Sequence, residues 1–123
     1  MRKQEAFFQV GVVRLLRMTG FYVFAVPNGG SRHVREAHNL KLQGVTAGVS
    51  DLIILLPKGQ AVFVELKSPD GSGRQSPAQR DFEDTVKALG FEYLLWQNWA
   101  DVEAFIKAHR HQVGDSVKIG GTI

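Results

Sequence analysis

Residues 51–68 read DLIILLPKGQAVFVELKS, two apolar runs separated by a short polar turn. Asp51 stands at the start of the first run, and Glu65 and Lys67 interrupt the second. Ionised side chains are rarely placed in buried strands without a partner. The three charges therefore predict a shared site on a strand hairpin, and carboxylates that converge in this way are typical of a metal centre.

The register of this hairpin decides whether the three side chains meet. Alternation along a strand places Glu65 and Lys67 on the same face, about 7 Å apart. Asp51 joins that face only if it lies opposite Glu65 or Lys67 in the antiparallel pair. A two-residue loop would place Asp51 opposite Leu66, on the wrong face. We therefore predict an odd-length connection, such as residues 57–59, or a bulge near Asp51.

Length and composition set the class of protein. A chain of 123 residues suits one domain, which we place at 1–111, followed by a mobile tail at 112–123. The chain has no cysteine, which excludes disulfides and thiolate metal sites. Neither a signal peptide nor a membrane-spanning stretch is expected, so we predict a soluble intracellular protein without a membrane partner. The net charge of +3 either favours phosphate backbones or is ordinary solubility charge.

Hydrophobic periodicity predicts an α/β fold in which helices flank a small mixed sheet of about four strands. The predicted helices cover residues 4–19, 32–43, 77–89 and a last segment capped by Asn98. The predicted strands cover residues 21–26, 52–56, 62–68 and 91–96. Ser76, Pro77 and Gln79 form a capping box at the third helix, and the strands on either side of that helix should run parallel.

Glu5 and the basic residues each allow two interpretations. Glu5 lies beside the apolar stripe of the first helix, where it could reach a metal at the sheet edge or simply favour the helix dipole. The densest basic cluster includes Arg32, Arg35 and Lys41, which either contact a DNA backbone or form a solvated helix face. Arg74 ends a flexible loop beyond Lys67 that is well placed to meet a substrate. No zinc, phosphate-loop, dinucleotide or nucleophile-elbow motif is present.

Several motifs together resemble a known family. Gly48-Val49-Ser50-Asp51 followed by Glu65-Leu66-Lys67 resembles the PD-(D/E)xK nuclease signature, and the surroundings resemble its virus-type replication-repair branch, the VRR-NUC domain. The further matching features are Glu5 on the first helix, Pro27-Asn28-Gly29-Gly30 after the first strand, the glycine-punctuated stretch 44–51, and Ser76-Pro77-Ala78-Gln79. The resemblance spans roughly residues 4–105. It departs at Ser50, where proline often precedes the aspartate, but that position makes no metal bond.

The resemblance implies a restriction-endonuclease-like fold with elements in the order αβ(α)ββαβα. It implies a Mg²⁺ or Mn²⁺ site built from Asp51, Glu65, Glu5 and the backbone carbonyl of Leu66. Lys67 would stand near the scissile phosphate, unless it is a solvent-facing lysine loosely paired with Glu65.

The implied catalytic set also includes Gln79, whose amide either turns toward the active site or serves only the helix cap. The residues expected to contact DNA are Asn28, Arg32, Arg35, Lys41 and Arg74.

The leading hypothesis is a metal-dependent DNA endonuclease selective for branched DNA such as Holliday junctions or flaps. A homodimer is attractive because two sites on a two-fold axis could address two strands. The resemblance to stand-alone family members points to the cytoplasm of a bacterial or phage-infected cell and to a role in DNA repair. The alternatives are an inactive nucleic-acid-binding module with the same fold and, more weakly, RNA processing, for which no aromatic platform is apparent.

Overall fold

The computed structural model describes residues 3–27 and 34–113 of the chain. Its helices are α1 (Lys3–Met18), α2 (Val34–Leu42), α3 (Pro77–Ala88) and α4 (Trp99–Val113). Its strands are β1 (Tyr22–Ala25), β2 (Leu52–Leu56), β3 (Gln60–Leu66) and β4 (Glu92–Trp96). The predicted order of elements is confirmed, and most bounds differ from the prediction by one or two residues.

The four strands form one mixed sheet in the order β1-β2-β3-β4. Strand β2 pairs antiparallel with both β1 and β3, whereas β4 runs parallel to β3. Helix α3 makes the crossover between the two parallel strands, as predicted. Four helices around a four-stranded mixed sheet confirm the predicted α/β class.

The β2–β3 hairpin has the register that the site requires. Leu52 pairs with Val64 and Leu56 pairs with Gln60, which leaves residues 57–59 as a three-residue connection. The predicted odd-length loop is therefore confirmed. Continued by one residue, the same register sets Asp51 opposite Glu65.

One face of the sheet forms the main core with α1 and α4. Its buried members are Phe8, Val12, Leu16, Phe21, Val23, Leu52, Ile54, Leu56, Val62, Val64, Leu66, Trp96, Val102, Phe105, Ile106 and Val113. The opposite face carries side chains of the other parity, and α3 covers part of it. Phe82 of α3 packs edge-on against Phe63 at 5.5 Å between ring centroids. The charged residues at 51, 65 and 67 belong to this second face.

Capping residues set the ends of α3 and α4. Ser76 and Gln79 form the predicted capping box, with Pro77 as the first helical residue. Asn98 Oδ1 accepts a hydrogen bond from the amide of Asp101 at 3.0 Å, which confirms Asn98 as a cap. The helix predicted over residues 77–89 ends at Ala88, and Leu89 is its C-cap residue and is 69% exposed.

The end of helix α4 overlaps the segment predicted as a tail. Helix α4 continues to Val113, which is buried in the core, so the helix includes the first two residues of the segment predicted as a tail. Residues 114–123 lie outside the described residues. In the described part of the chain, no helix combines the length and apolar character that crossing a bilayer requires.

Candidate active site

Three charged side chains meet on the α3-covered face of the sheet. Asp51 immediately precedes β2, Glu65 lies near the end of β3, and Lys67 follows that strand. The Lys67 ammonium lies 3.1 Å from Glu65 Oε2, with side-chain exposures of 9% and 1% respectively. The two charges are therefore a buried ion pair, and neither could be tolerated there alone.

The Lys67 ammonium is held in place by neutral acceptors as well as by Glu65. It donates hydrogen bonds to the backbone carbonyl of Arg74 at 2.9 Å and to Gln79 Oε1 at 3.1 Å. With the ion pair, these contacts place three oxygen atoms around the ammonium. The interpretation of Lys67 as a loosely paired, solvent-facing lysine is therefore wrong, because the residue is buried and held by all three.

Asp51 is half-buried and lies in a negative environment. Its Oδ2 accepts a hydrogen bond from the backbone amide of Leu66 at 2.7 Å. Burial is the main cause that raises the pKa of Asp51, and the negative charges of Glu65 and Glu5 raise it further. The Leu66 amide and the Lys67 ammonium offset only part of this effect. A positive charge beside Asp51 would relieve the remaining repulsion.

The two oxygens of Glu65 have different environments. Oε1 accepts a hydrogen bond from the hydroxyl of Tyr93, whereas Oε2 is buried and accepts no hydrogen bond from the described residues. Burial and the neighbouring Glu65 carboxylate both raise the pKa of Tyr93, so the phenol stays protonated and acts as a donor. A buried carboxylate oxygen without a hydrogen bond is a ready ligand for a cation.

Gln79 makes both of the contacts that the sequence left open, one with the helix cap and one with Lys67. Its Oε1 accepts from the backbone amide of Ser76 at 2.8 Å and from Lys67 Nζ at 3.1 Å. Ser76 Oγ in turn accepts from the amide of Gln79 at 3.1 Å, which completes the capping box. The first turn of α3 is therefore built into the site, because one carbonyl oxygen serves both the cap and the lysine.

Gly48 joins the loop that carries Asp51 to the same turn of α3. Its φ is +84°, and a Cβ built at this position would lie 2.2 Å from the carbonyl oxygen of Ala78. No other residue could adopt this backbone conformation at this distance without displacing the helix. The glycine therefore lets the approach to β2 lie directly on the N-terminus of α3.

The donor set fits a hard divalent cation. Asp51 and Glu65 supply carboxylate oxygens. The N–H and C=O groups of one strand residue point to the same side, and the Leu66 amide points to Asp51, so the Leu66 carbonyl is directed to that side as well. Oxygen ligands of this kind suit Mg²⁺ and Mn²⁺. Within residues 3–27 and 34–113, however, no group of three His, Asp or Glu residues is close enough to hold a metal. Glu5 is near enough for its charge to affect Asp51, but this conformation does not bring it into a three-carboxylate cluster.

Comparison with known proteins agrees with this geometry. The family model for the VRR-NUC domain matches residues 24–97, more than half of the chain. The chain belongs to the VRR-NUC family. One similar solved structure, titled "VRR_NUC domain protein", has a TM-score of 0.71 and 23% identity, covering 91% of this chain and 92% of that one. Another, titled "VRR_NUC domain", has a TM-score of 0.63 and 20% identity, covering 86% and 97%. The search of curated proteins found no match.

The family assignment confirms the predicted resemblance and its fold. VRR-NUC is a nuclease family, and nuclease domains generally use divalent metals. The matched segment includes Asp51, Glu65, Lys67 and Gln79, whereas Glu5 on α1 lies outside it.

Only some of the residues predicted to contact DNA lie in the described part of this VRR-NUC domain. Lys41 on α2 and Arg74 are exposed, and the backbone carbonyl of Arg74 also holds Lys67. Arg35 lies in α2, but its side chain is outside the described part of the chain, as are Asn28 and Arg32 entirely. Their contacts with DNA stay predictions.

Sequence reasoning missed Tyr93 and Gln75. The Gln75 side-chain amide donates to the Tyr93 hydroxyl at 3.3 Å and to Glu83 Oε1 at 2.8 Å. The available signal was a tyrosine in an otherwise apolar part of the fourth strand. It became informative only with the register of β3 and β4, which places Tyr93 beside Phe63 on the face that also carries Glu65.

Proposed function

We propose that this chain is a Mg²⁺- or Mn²⁺-dependent DNA endonuclease that hydrolyses phosphodiester bonds and selects branched DNA such as Holliday junctions or flaps. The observation that carries the proposal is the buried Lys67–Glu65 ion pair beside Asp51, in a chain that belongs to a nuclease family. Two carboxylates face a single ammonium there, so the site has an excess of negative charge that a cation would neutralise.

Asp51, Glu65 and the Leu66 carbonyl would hold the cation, and Glu5 would join them by a local rearrangement of α1. When bound, such an ion neutralises phosphate charge and lowers the pKa of a water molecule. The side chains around it keep the ligands in place before substrate arrives.

Lys67 contributes a fixed positive charge for the phosphate. Its ammonium is held by Glu65, by Gln79 and by the Arg74 carbonyl, so it loses little freedom when a negative group approaches. A preorganised positive charge stabilises the additional negative charge that develops on phosphate oxygens during hydrolysis.

A homodimer forms part of this proposal. Tyr22, Phe24 and Leu55 lie on the same sheet face as the site and are 46%, 38% and 43% exposed. Neighbouring apolar side chains with this exposure favour contact with another surface, and a second copy would bring a second site to the opposite strand of a junction. Sedimentation equilibrium of the wild type and of L55E tests this, since the charge should shift a dimer toward monomer. A monomeric wild type would remove the homodimer from the proposal.

The decisive experiment is cleavage of end-labelled linear, flapped and four-way-junction DNA with Mg²⁺, with Mn²⁺ or with EDTA. We expect the wild type to cut the branched substrates only with metal, and D51N to lose at least about a hundredfold in rate. D84N, which removes an exposed carboxylate from the same domain, is the matched control and should retain full activity. Equal cleavage by D51N and the wild type would refute the assignment of the site.

The second candidate is an inactive nucleic-acid-binding module. It is favoured by the absence of a three-carboxylate group in the described residues. The same gels distinguish the two candidates: a module of this kind would retard branched DNA without cutting it under every metal condition.

A further inference from the structure

Tyr93 makes a direct contact with the candidate metal site from the neighbouring strand. It is 7% exposed, and its hydroxyl donates to Glu65 Oε1. In the parallel pair, Phe63 lies beside Tyr93 and Glu65 beside Leu95, so the tyrosine reaches the glutamate diagonally along the same face. The aromatic ring of Phe82 packs against the tyrosine ring at 6.3 Å, which limits the positions that the hydroxyl can take.

The Tyr93 hydroxyl is itself oriented by a second pair of side chains. Gln75 donates to the phenol oxygen at 3.3 Å and to Glu83 Oε1 at 2.8 Å, so its amide bridges the two. Glu83 forms a further ion pair with Lys87 at 2.6 Å on α3. Because Gln75 supplies a proton to the phenol oxygen, the phenol proton is directed away from Gln75 and toward Glu65.

The two oxygens of the Glu65 carboxylate therefore have different partners. Oε1 is fixed by a neutral donor that brings no positive charge, whereas Oε2 accepts no hydrogen bond from the described residues and lies beside the Lys67 ammonium. We propose that Tyr93 is a positioning residue, which fixes Glu65 through Oε1 so that Oε2 is presented to a divalent cation, and that Gln75 supports it. This inference rests on the proposed metal-dependent function.

The test compares the two tyrosines of this 123-residue chain. Y93F removes the hydroxyl that contacts Glu65, and Y22F removes the matched hydroxyl from β1, which lies at the opposite edge of the sheet from β4. Mn²⁺ binding to each metal-free protein is measured by electron paramagnetic resonance of the free ion. We expect Y93F to weaken Mn²⁺ binding by about tenfold or more, the usual effect of losing a hydrogen bond to a metal ligand, and Y22F to leave it within about twofold.

Cleavage measured against Mn²⁺ concentration gives a second readout. Y93F should need a correspondingly higher Mn²⁺ concentration for half-maximal rate and should approach the wild-type rate when Mn²⁺ is saturating. A merely structural role would instead lower the thermal midpoint without changing the Mn²⁺ dependence, and that outcome overturns the inference. If Y93F does not fold, Q75L keeps the phenol and should weaken Mn²⁺ binding in the same direction; unchanged binding in Q75L then also overturns it. A wild type that binds no Mn²⁺ refutes the proposed function itself.

Discussion

Replacing Gly48 by alanine separates the packing of the active-site loop from its backbone conformation. The φ of +84° costs an alanine about 1–2 kcal/mol, because the left-handed region crowds Cβ against the next carbonyl. The new Cβ would also lie 2.2 Å from the Ala78 carbonyl oxygen, so the loop and the first turn of α3 must separate by about 1 Å to reach an ordinary contact. Such overpacking costs a further ~1–3 kcal/mol. We expect G48A to lower the free energy of unfolding by about 2–5 kcal/mol.

Gly44 provides the matched control within the same segment. Its φ is +102°, yet among residues 3–27 and 34–113, its two chain neighbours apart, no atom lies within 4 Å of the position that a Cβ would occupy. G44A therefore carries the backbone cost without the steric one, and urea denaturation should show a loss of about 1–2 kcal/mol. The difference between the two variants isolates the contact between Gly48 and Ala78.

Activity gives an independent measure of the same displacement. The loop carries Asp51 and the helix turn carries Gln79, so a separation of about 1 Å misplaces one relative to the other and should reduce cleavage about a hundredfold in the folded variant. G44A should retain activity close to that of the wild type. Equal losses of stability and activity in G44A and G48A would refute the reasoning, because the clash is the feature that distinguishes the two positions.

Three further predictions concern the charges of the site. Burial raises the pKa of Asp51 above its ordinary 3.8, so ionisation of Asp51 destabilises the metal-free fold as the pH rises past that value. D51N should therefore raise the thermal midpoint in EDTA at pH 7 and give no gain below pH 3.8. A lower midpoint at pH 7 would contradict this. K67M leaves Glu65 buried and uncompensated, and urea denaturation in EDTA should show a loss of about 3 kcal/mol that Mn²⁺ partly restores; full stability in EDTA would count against the buried pair. Q79A removes the cap and the lysine contact and should lower the free energy of unfolding by about 2–3 kcal/mol in the same assay. S76A removes only the cap and should lower it by about 1 kcal/mol. Equal losses would mean that the contact between Gln79 and Lys67 does not stabilise the fold.

Local rules were sufficient to predict the elements and the hairpin. The period of apolar residues, the capping box at Ser76 and the turn at 57–59 are decided within a few residues of chain. The parity argument was also local, since it needed only the requirement that Asp51 share a face with Glu65. That requirement fixed the parity of the pairing and left Asp51 opposite either Glu65 or Lys67, and the structure has the register that continues to Glu65.

The supporting contacts could not be predicted because they depend on distances between distant segments. The proximity of Tyr93 to Glu65 requires the offset between two parallel strands, which a crossover helix leaves undetermined in the sequence. The two contacts of Gln79 looked like alternatives because the sequence does not show that one amide oxygen accepts from both the cap amide and Lys67. The closeness of Gly48 to Ala78 likewise depends on how α3 sits on the sheet.

The charge balance of the site explains why the partners of the Glu65–Lys67 ion pair are uncharged. Around the ion pair of Glu65 and Lys67, the added partners are an amide, a phenol and a backbone carbonyl, none of which carries a charge. A second arginine or lysine in their place would stabilise the metal-free fold by neutralising Asp51, but it would then repel a divalent cation. Neutral donors and acceptors instead fix the geometry and leave the negative excess in place. The raised pKa of Asp51 means that its ionised form destabilises the metal-free fold, and binding of a cation would remove that destabilisation.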